Sequence, residues 1–145
     1  MEREKVSVLI KKSALIFDKY VNQLLTPYQL TNSQFRILMI LYKAPAYSVR
    51  QVDIESAFSM TNPTVTGLIQ KLEKNGLVKR VENPKDKRSK LLALTEQAES
   101  RRTEFIALAD SIEREMTNGL SETEVELLAE LLTKVNEKHN NGGTL

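Results

Sequence analysis

The first apolar pattern of the chain is wider than one buried helix face requires. Seven apolar residues recur at helical spacing: Val6, Leu9, Ile10, Ala14, Phe17, Val21 and Leu24. A second apolar flank runs beside them: Val8, Leu15, Ile16 and Leu25. We predict a first helix that packs against two partners, because one core-facing stripe needs only about three or four apolar residues per two turns. Thr26-Pro27 should end or kink this helix, since proline lacks a backbone donor.

Polar residues at capping positions predict the next two helices. Thr31-Asn32-Ser33-Gln34 has the spacing of a capping box, in which hydroxyl and amide side chains satisfy the first backbone groups of a helix. The nearly unbroken apolar run from Phe35 to Tyr42 follows, so this helix should lie at the centre of the core and end at Ala44-Pro45. Ser48-Val49-Arg50-Gln51 repeats the spacing and predicts a short third helix that extends through Phe58.

The fourth predicted helix has a polar start and a narrow apolar stripe. Asn62 precedes Pro63, which favours Asn62 as the N-cap and Pro63 as the first helical residue. Four apolar residues then follow at helical spacing: Val65, Leu68, Ile69 and Leu72. Asn75-Gly76 should end the helix, because glycine readily adopts the left-handed conformation. The third and fourth helices, separated by a tight turn, predict a helix-turn-helix.

Two short segments after the fourth helix predict a β-hairpin. Leu77 to Glu82 and Lys90 to Leu94 are bounded by turn residues, and a hairpin in this position makes the helix-turn-helix a winged one. Thr95 should begin one long helix that ends near Asn118-Gly119. Ser121-Glu122-Thr123-Glu124 is a third capping box and predicts the start of the last helix.

These elements predict a mainly α fold with a small β-hairpin. The winged helix-turn-helix lobe covers residues 31–95 approximately, with helices before and after it. Residues 1–139 should form a single domain, since the chain is too short for two large ones. Residues 140–145 are polar and contain glycine, so we expect a disordered tail there.

Charge is distributed unevenly along a chain whose formal net charge is only +2. Residues 71–90 contain eight Lys or Arg against three acidic residues, a net charge of +5. Residues 96–130 contain ten acidic residues against three arginines, a net charge of −7. The turn between the predicted strands, residues 83–90, holds four cations against the single carboxylate of Asp86. Such a turn suits a polyanion, so nucleic acid is the first partner to consider.

Composition argues against several classes of protein. The chain has no cysteine, which excludes disulfides, thiolate metal sites and cysteine redox sensing. Its single histidine, His139, lies near the C-terminus, and the sequence has neither a metal-ligand spacing nor a glycine-rich phosphate loop. We therefore expect no enzyme activity and no cofactor. The longest apolar run is far below the ~20 residues that cross a bilayer and no secretory signal is recognisable, so we expect a cytoplasmic protein without a membrane partner.

Two blocks at a fixed separation resemble the MarR family of transcriptional regulators. Leu68 to Arg80 reads LIQKLEKNGLVKR, and Asp86-Lys87-Arg88 is followed by Leu92-Ala93-Leu94-Thr95. The resemblance extends from the first helix to about His139. The family usually has a glycine soon after the threonine, where this chain has Ala98, so we expect a more regular start to the long helix here.

The resemblance implies a homodimer whose first and last helices interlock. The dimerisation helices would cover residues 5–26 and 95–139 approximately. It also implies two winged lobes that bind double-stranded DNA, often with a small-molecule pocket between the lobes and the dimer helices. The two-fold symmetry of such a dimer predicts a pseudo-palindromic site. We expect a repressor, and the sequence leaves an activator as the alternative. The charge asymmetry and the wide apolar faces of the first and last helices agree with this arrangement. The alternative is a winged helix that contacts only proteins, although such a protein does not need concentrated cations in the hairpin.

The outward face of the fourth helix should meet DNA if the protein binds it. With the apolar stripe turned inward, at 100° per residue, the candidates are Thr61, Asn62, Pro63, Thr64, Thr66, Gly67, Gln70, Lys71 and Lys74. In a major groove, glutamine and threonine can hydrogen-bond base edges, and glycine permits a close approach. In the alternative interpretation, Thr61 and Asn62 only cap the helix and Gly67 is a tolerated surface glycine that costs up to ~1 kcal/mol.

The wing supplies a second group of candidates: Lys85, Asp86, Lys87 and Arg88. The lysines would position the protein on phosphates without reading sequence, although a single surface lysine is more often only a solvated charge. The planar guanidinium of Arg88 can enter a narrow, electronegative minor groove, with Asp86 orienting it. In the family, the matching aspartate and arginine have this role. The alternative for this pair is a surface ion pair worth ~0–1 kcal/mol.

Aromatic residues are concentrated on the first two helices: Phe17, Tyr20, Tyr28, Phe35 and Tyr42. Aromatic residues at helical spacing usually belong to the core, and we predict this for most of them. By the family resemblance, Phe17, Tyr20 and Tyr28 are also candidates to bind a small aromatic effector.

Overall fold

The computed structural model describes residues 2–139, and the tail prediction for residues 140–145 lies outside this range. The helices are α1 (Val6–Leu25), α2 (Asn32–Lys43), α3 (Gln51–Phe58), α4 (Asn62–Lys74), α5 (Glu96–Ser100), α6 (Arg102–Thr117) and α7 (Glu122–His139), with a 3-10 turn at Thr26–Tyr28. The strands are β1 (Val49–Arg50), β2 (Val78–Glu82) and β3 (Lys90–Leu94). This order confirms the predicted fold class.

Helix α2 lies at the centre of the core, as its apolar run predicts. Ile37 and Leu38 are completely buried. Phe105 of α6 is also completely buried and receives Tyr28 and Phe35 edge-on, with ring centroids 5.4 and 6.2 Å away. The core therefore joins the helix-turn-helix lobe to α6.

Two predicted capping boxes are confirmed. The Thr31 hydroxyl accepts from the Gln34 backbone N–H at 3.3 Å, and the Gln34 side chain accepts from Thr31 N at 3.1 Å. Ser121 and Glu124 make the same reciprocal pair at 3.1 and 2.9 Å. Gly76 ends α4 with φ of +75°, in the left-handed conformation expected there.

The capping box predicted at Ser48 is wrong, because a short strand occupies that place. Val49 and Arg50 form β1, which pairs antiparallel with β3 and makes the sheet order β1-β3-β2. Helix α3 begins at Gln51, directly after β1. The carboxylate of Asp53 accepts from the Arg50 backbone N–H at 2.8 Å. The Ser48 hydroxyl instead donates to the carbonyl of Pro45 at 2.6 Å. The predicted hairpin of β2 and β3 is confirmed.

The start of α4 also differs from the prediction by one residue. Thr61, not Asn62, is the N-cap, and Asn62 is the first helical residue, so Pro63 occupies the second helical position. The Asn62 side chain donates to Glu55 Oε2 of α3 at 3.0 Å. Because the Asn62 side chain makes this contact with a neighbouring helix, it does not cap α4.

The predicted long helix after Thr95 is broken, so the more regular start expected from Ala98 is wrong. Arg101 leaves helical geometry, with φ of −102° and ψ of 7°, and separates α5 from α6. The Ala98 carbonyl accepts from the Tyr42 hydroxyl at 2.6 Å, and the Arg102 guanidinium donates to the Tyr42 carbonyl at 2.8 Å. These contacts with the end of α2 compete with continuous helical bonding.

The first and last helices expose most of their apolar side chains. No residue of α7, Glu122–His139, is buried, and Leu131 is 49% exposed. On α1, only Val21 and Leu25 are buried, whereas Ile16 is 61% exposed. Among residues 2–139, no helix has the length and apolar character needed to span a membrane. Three residues of the second apolar flank predicted on α1, Val8, Leu15 and Ile16, are therefore exposed within one chain, whereas the fourth, Leu25, belongs to the core.

Candidate nucleic-acid interface

Helix α4 presents a polar face because its apolar residues point into the core. Val65, Ile69 and Leu72 are completely buried. The exposed residues of the opposite side are Asn62, Pro63, Thr64, Gln70, Lys71 and Lys74, and the N-cap Thr61 is exposed with them. This face has hydrogen-bonding groups at its N-terminal half and two cations at its C-terminal half, which complement base edges and phosphates respectively.

Gly67 lies in the middle of that helix, and the space beside it is open. A Cβ built on Gly67 would have no heavy atom within 4 Å. The core therefore does not require glycine at this position. A helix without a side chain here can approach a flat or convex partner closely.

Helix α3 holds α4 through a hydrogen-bond network that includes two of the predicted DNA contacts. Gln51 donates to the Thr66 hydroxyl at 2.8 Å and to Glu55 at 3.3 Å. Glu55 also accepts from the Asn62 amide at 3.0 Å. Thr66 and Asn62 thus fix the angle between the two helices, while Thr64 and Gln70 lie on the exposed side of α4.

A buried asparagine shapes the wing tip. Asn83 is only 8% exposed, and its side chain accepts from Lys85 N at 3.0 Å and donates to the Ser89 hydroxyl at 3.1 Å. Asp86 N donates to the Asn83 carbonyl at 3.2 Å. These bonds close the turn across its base, so Lys85 and Lys87 project from an ordered loop.

Asp86 fixes the backbone that carries Arg88. Its Oδ1 accepts from Arg88 N at 3.0 Å and lies 3.5 Å from Arg88 Nε. The Arg88 side chain is 94% exposed, whereas that of Asp86 is 43% exposed. The guanidinium therefore extends beyond the aspartate that orients it, in an arrangement that leaves it accessible to a partner.

The wing and α4 border one groove, with a volume of about 380 Å³. Thr66 and Asn62 line it from α4, and Arg88, Ser89 and Lys90 line it from the wing. The two predicted groups of DNA contacts therefore lie on the same side of the lobe. A partner that touches the α4 face can touch the wing as well.

Sequence and structure comparisons agree with this architecture. The model of the MarR family matches residues 30–90. A crystal structure of Staphylococcus aureus MepR with DNA is 29% identical, with a TM-score of 0.83 over 94% of this chain and 99% of MepR. A mutant form of Escherichia coli MarR complexed with operator DNA is 28% identical, with a TM-score of 0.78 over 90% and 92% of the chains. Residues 30–90 of this chain therefore resemble the MarR family, and the chain shares the fold of MepR and MarR along most of its length.

A curated relative matches the chain over a shorter span. The Bacillus subtilis (strain 168) protein named "uncharacterized HTH-type transcriptional regulator YwoH" is 39% identical to this chain over 90 residues. The match covers 62% of this chain and 64% of YwoH. The chain therefore spans less than two thirds of that relative.

In the grooves and cavities described for residues 2–139, only one of the three candidate effector residues is a lining residue. Phe17, Tyr20 and Tyr28 are all half-buried and pack against the core. Tyr20 lines a groove of about 380 Å³ between α1 and α6. Tyr28 packs edge-on against Phe105, and burial, followed by the nearby Glu104 carboxylate, raises its pKa. A separate cavity of about 520 Å³ lies between the end of α2, β3 and α5, and none of the three lines it.

Sequence reasoning missed Arg50, which borders the groove between α4 and the wing. Its backbone caps α3 through Asp53, and its guanidinium donates to the same carboxylate at 3.0 and 3.3 Å. Burial alone would raise the pKa of Asp53, but these hydrogen bonds and the arginine charge lower it. The available signal was an arginine three residues before an aspartate at a helix start.

Proposed function

We propose that this chain is a MarR-family transcriptional regulator that binds double-stranded DNA in the cytoplasm as a homodimer. It places α4 in the major groove and the wing in the adjacent minor groove, and acts as a repressor on a pseudo-palindromic operator. The single observation that carries the proposal is the groove of about 380 Å³ bordered by both α4 and the wing, because it places both candidate surfaces on one side.

The charge and exposure of individual residues support this proposal. On α4, Gln70 and Thr64 are exposed and suit base edges, while Lys71 and Lys74 suit the flanking phosphates. On the wing, the 94% exposed side chain of Arg88 suits a minor groove. The acidic segment 96–130 belongs mostly to α5, α6 and α7 and contributes no residue to the groove between α4 and the wing.

The exposed apolar faces of α1 and α7 support the homodimer. Exposed large apolar residues are concentrated on these two helices: Val6, Val8, Leu9, Ile10, Leu15, Ile16, Leu127, Leu128, Leu131, Leu132 and Val135. Exposed large apolar residues that are concentrated on two helices usually mark an interface. A second copy of the chain carries the same two faces, so a two-fold axis can bury both at once. Release by a small aromatic effector stays a prediction.

The test is a selection of bound duplexes from a random library, with the full chain, followed by titrations at several salt concentrations. We expect two half-sites about 34–36 Å apart and related by two-fold symmetry. The affinity should fall steeply with added salt, and Lys85→Ala or Lys87→Ala should each reduce the logarithmic slope by about 0.9. Failure to bind any duplex at low salt would overturn the proposal and favour a protein-contact role.

A further inference from the structure

Four of the eleven residues that line the gap between the helix-turn-helix and the wing are cations. Arg50, Arg80, Arg88 and Lys90 all border it. The single acidic residue on its border is Glu55, whose carboxylate already accepts from Gln51 and Asn62. Arg80 makes an ion pair with Glu73, with Nε 3.2 Å from Oε1 in a geometry too poor for a hydrogen bond. Cations therefore outnumber acidic residues on the lining itself, and Arg50, Arg80 and Arg88 each pair with a carboxylate that does not line the gap.

Arg50 occupies the wall of this gap that belongs to β1 and α3. Asp53 accepts from its backbone N–H, from Nε and from one terminal nitrogen, at 2.8, 3.3 and 3.0 Å. Three of the five guanidinium N–H groups remain for another partner. The Arg50 side chain is 49% exposed, whereas that of Asp53 is 23% exposed and lies behind it. The arginine is thus held in place and still accessible.

Arg88 on the opposite wall is held by the same kind of contact. In both pairs an aspartate accepts from the backbone N–H and from Nε of the arginine, at 3.0 and 3.5 Å for Asp86 and Arg88. The hydrogen bond that Arg50 donates to Asp53 is the main cause that raises the pKa of Arg50, and the Asp86 carboxylate makes a smaller contribution in the same direction. Two oriented guanidinium groups therefore face one gap from two sides.

The geometry of duplex DNA determines what would enter this gap. A major and a minor groove that lie side by side are separated by one sugar-phosphate backbone. A protein that inserts a helix in one and a wing in the other must place that backbone between them. The planar guanidinium matches phosphate in a forked geometry, and the N-terminus of α3 adds a favourable dipole.

We propose that Arg50 binds a phosphate of the backbone that passes between α4 and the wing. It would be a positioning contact that sets the register of the lobe without reading bases. This inference depends on the proposed DNA binding but assigns a residue that the helix-turn-helix and wing predictions did not include.

The experiment compares duplex binding by full-length wild type, Arg50→Gln, Arg50→Lys and the control Arg114→Gln at several salt concentrations. Arg114 is an exposed arginine of α6 that donates to Ser111, so its substitution changes the same charge elsewhere. The cap of α3 uses the backbone N–H of residue 50, which every variant retains. Melting temperatures measure any loss of folding.

Arg50→Gln should weaken binding by about five- to ten-fold and reduce the logarithmic salt slope by about 0.9. Arg50→Lys should keep the wild-type slope and lose part of the affinity, because lysine retains the charge but not the forked geometry. Arg114→Gln should bind like wild type. If Arg50→Gln has a lower melting temperature than wild type, the affinity of Arg50→Lys alone provides the test.

Two results would overturn the inference while leaving DNA binding intact. One is an Arg50→Gln variant with the affinity and slope of wild type, and the other is weaker binding with an unchanged slope, which would mean that no phosphate contact was lost. Wild-type affinity in Arg50→Lys would exclude the forked contact. If wild type itself binds no duplex, the proposed function fails and this inference fails with it.

Discussion

The Tyr42 hydroxyl donates a 2.6 Å hydrogen bond to the carbonyl of Ala98, a residue 56 positions later in the chain. Tyr42 belongs to the end of α2 and Ala98 to the middle of α5, and Ala98 is completely buried. Burial raises the pKa of Tyr42 to about 12, and the Glu99 carboxylate contributes in the same direction. This bond attaches the chain that leaves the wing to the central helix.

Tyr42→Phe should destabilise the protein by about 0.5–1.5 kcal/mol, because one hydrogen bond is lost while the Ala98 carbonyl still accepts from the Arg101 backbone N–H. The ring would remain, so packing against Phe105 would change little. Urea unfolding followed by circular dichroism measures the difference. An unchanged midpoint would show that water or a rearranged helix replaces the lost bond.

The same tyrosine predicts a dependence of stability on alkaline pH. Its pKa rises from an ordinary 10.0 to about 12 in the folded protein, so folding favours the protonated hydroxyl. The resulting stabilisation is complete below pH 10 and is lost as the pH rises through about 12. The free energy of unfolding should therefore fall less between pH 10 and 12 in Tyr42→Phe than in wild type. Parallel curves would contradict the assignment.

At the wing, Arg88→Ala should weaken operator binding by ten-fold or more, and Lys87→Ala by only a few-fold, both as order-of-magnitude estimates. Arg88 is oriented by Asp86 and can enter the minor groove, whereas Lys87 would contact phosphate only. Fluorescence anisotropy at fixed salt provides the comparison. Equal losses would reject the minor-groove role of Arg88.

Gly67 within α4 and Gly76 at the end of this helix should respond in opposite ways to substitution by alanine. Gly67→Ala should stabilise the protein by up to ~1 kcal/mol, because the site is helical and open, yet weaken DNA binding. Gly76→Ala should destabilise it by about 1–2 kcal/mol, since φ is +75° there. Thermal melts and binding titrations separate the two effects. If Gly67→Ala binds DNA like wild type, α4 does not approach the duplex at that point.

Charged substitutions on the exposed faces of α1 and α7 should give monomers. Ile16→Glu and Leu131→Glu place a carboxylate on surfaces that are 61% and 49% exposed in one chain. Tyr47→Glu is the control, because Tyr47 is equally exposed at 58% but lies in the loop before β1. Sedimentation at micromolar concentration reports the mass. A wild-type monomer would contradict the proposed homodimer.

Local sequence rules predicted the elements whose ends depend on neighbouring residues. The Thr31 and Ser121 capping boxes and the left-handed Gly76 involve contacts within four residues, so spacing was sufficient. The buried stripe of α4 was predicted for the same reason, because helical periodicity determines which side faces the core.

The differences arose where a distant part of the chain determined the local geometry. Val49 and Arg50 form a strand only because β3 pairs with them. The break at Arg101 is associated with the contacts of Tyr42 and Arg102, which no pattern near Thr95 reveals. The Asn62 amide does not cap α4 because it bonds to Glu55 of the preceding helix.

The sequence predicted which residues of the candidate site face outward, but not which of them bond to or face residues of other elements. Periodicity placed Gln70 and Lys74 outward, and charge placed the wing lysines. It could not show that Thr66 bonds to Gln51, or that Arg50 faces Arg88 across a gap, since these depend on the angle between elements. For the aromatic residues Phe17, Tyr20 and Tyr28, the spacing could not distinguish a core position from a position that lines a pocket, because both have the same helical periodicity.

The buried side chain of Asn83 has a thermodynamic consequence for recognition. A long basic loop normally loses backbone freedom when it docks, at about 1–2 kcal/mol of entropy per residue that becomes ordered. Here the amide already joins Lys85 to Ser89 in the unbound molecule. The entropic penalty of association is therefore confined to the rotamers of the projecting cations, and the main chain contributes almost none.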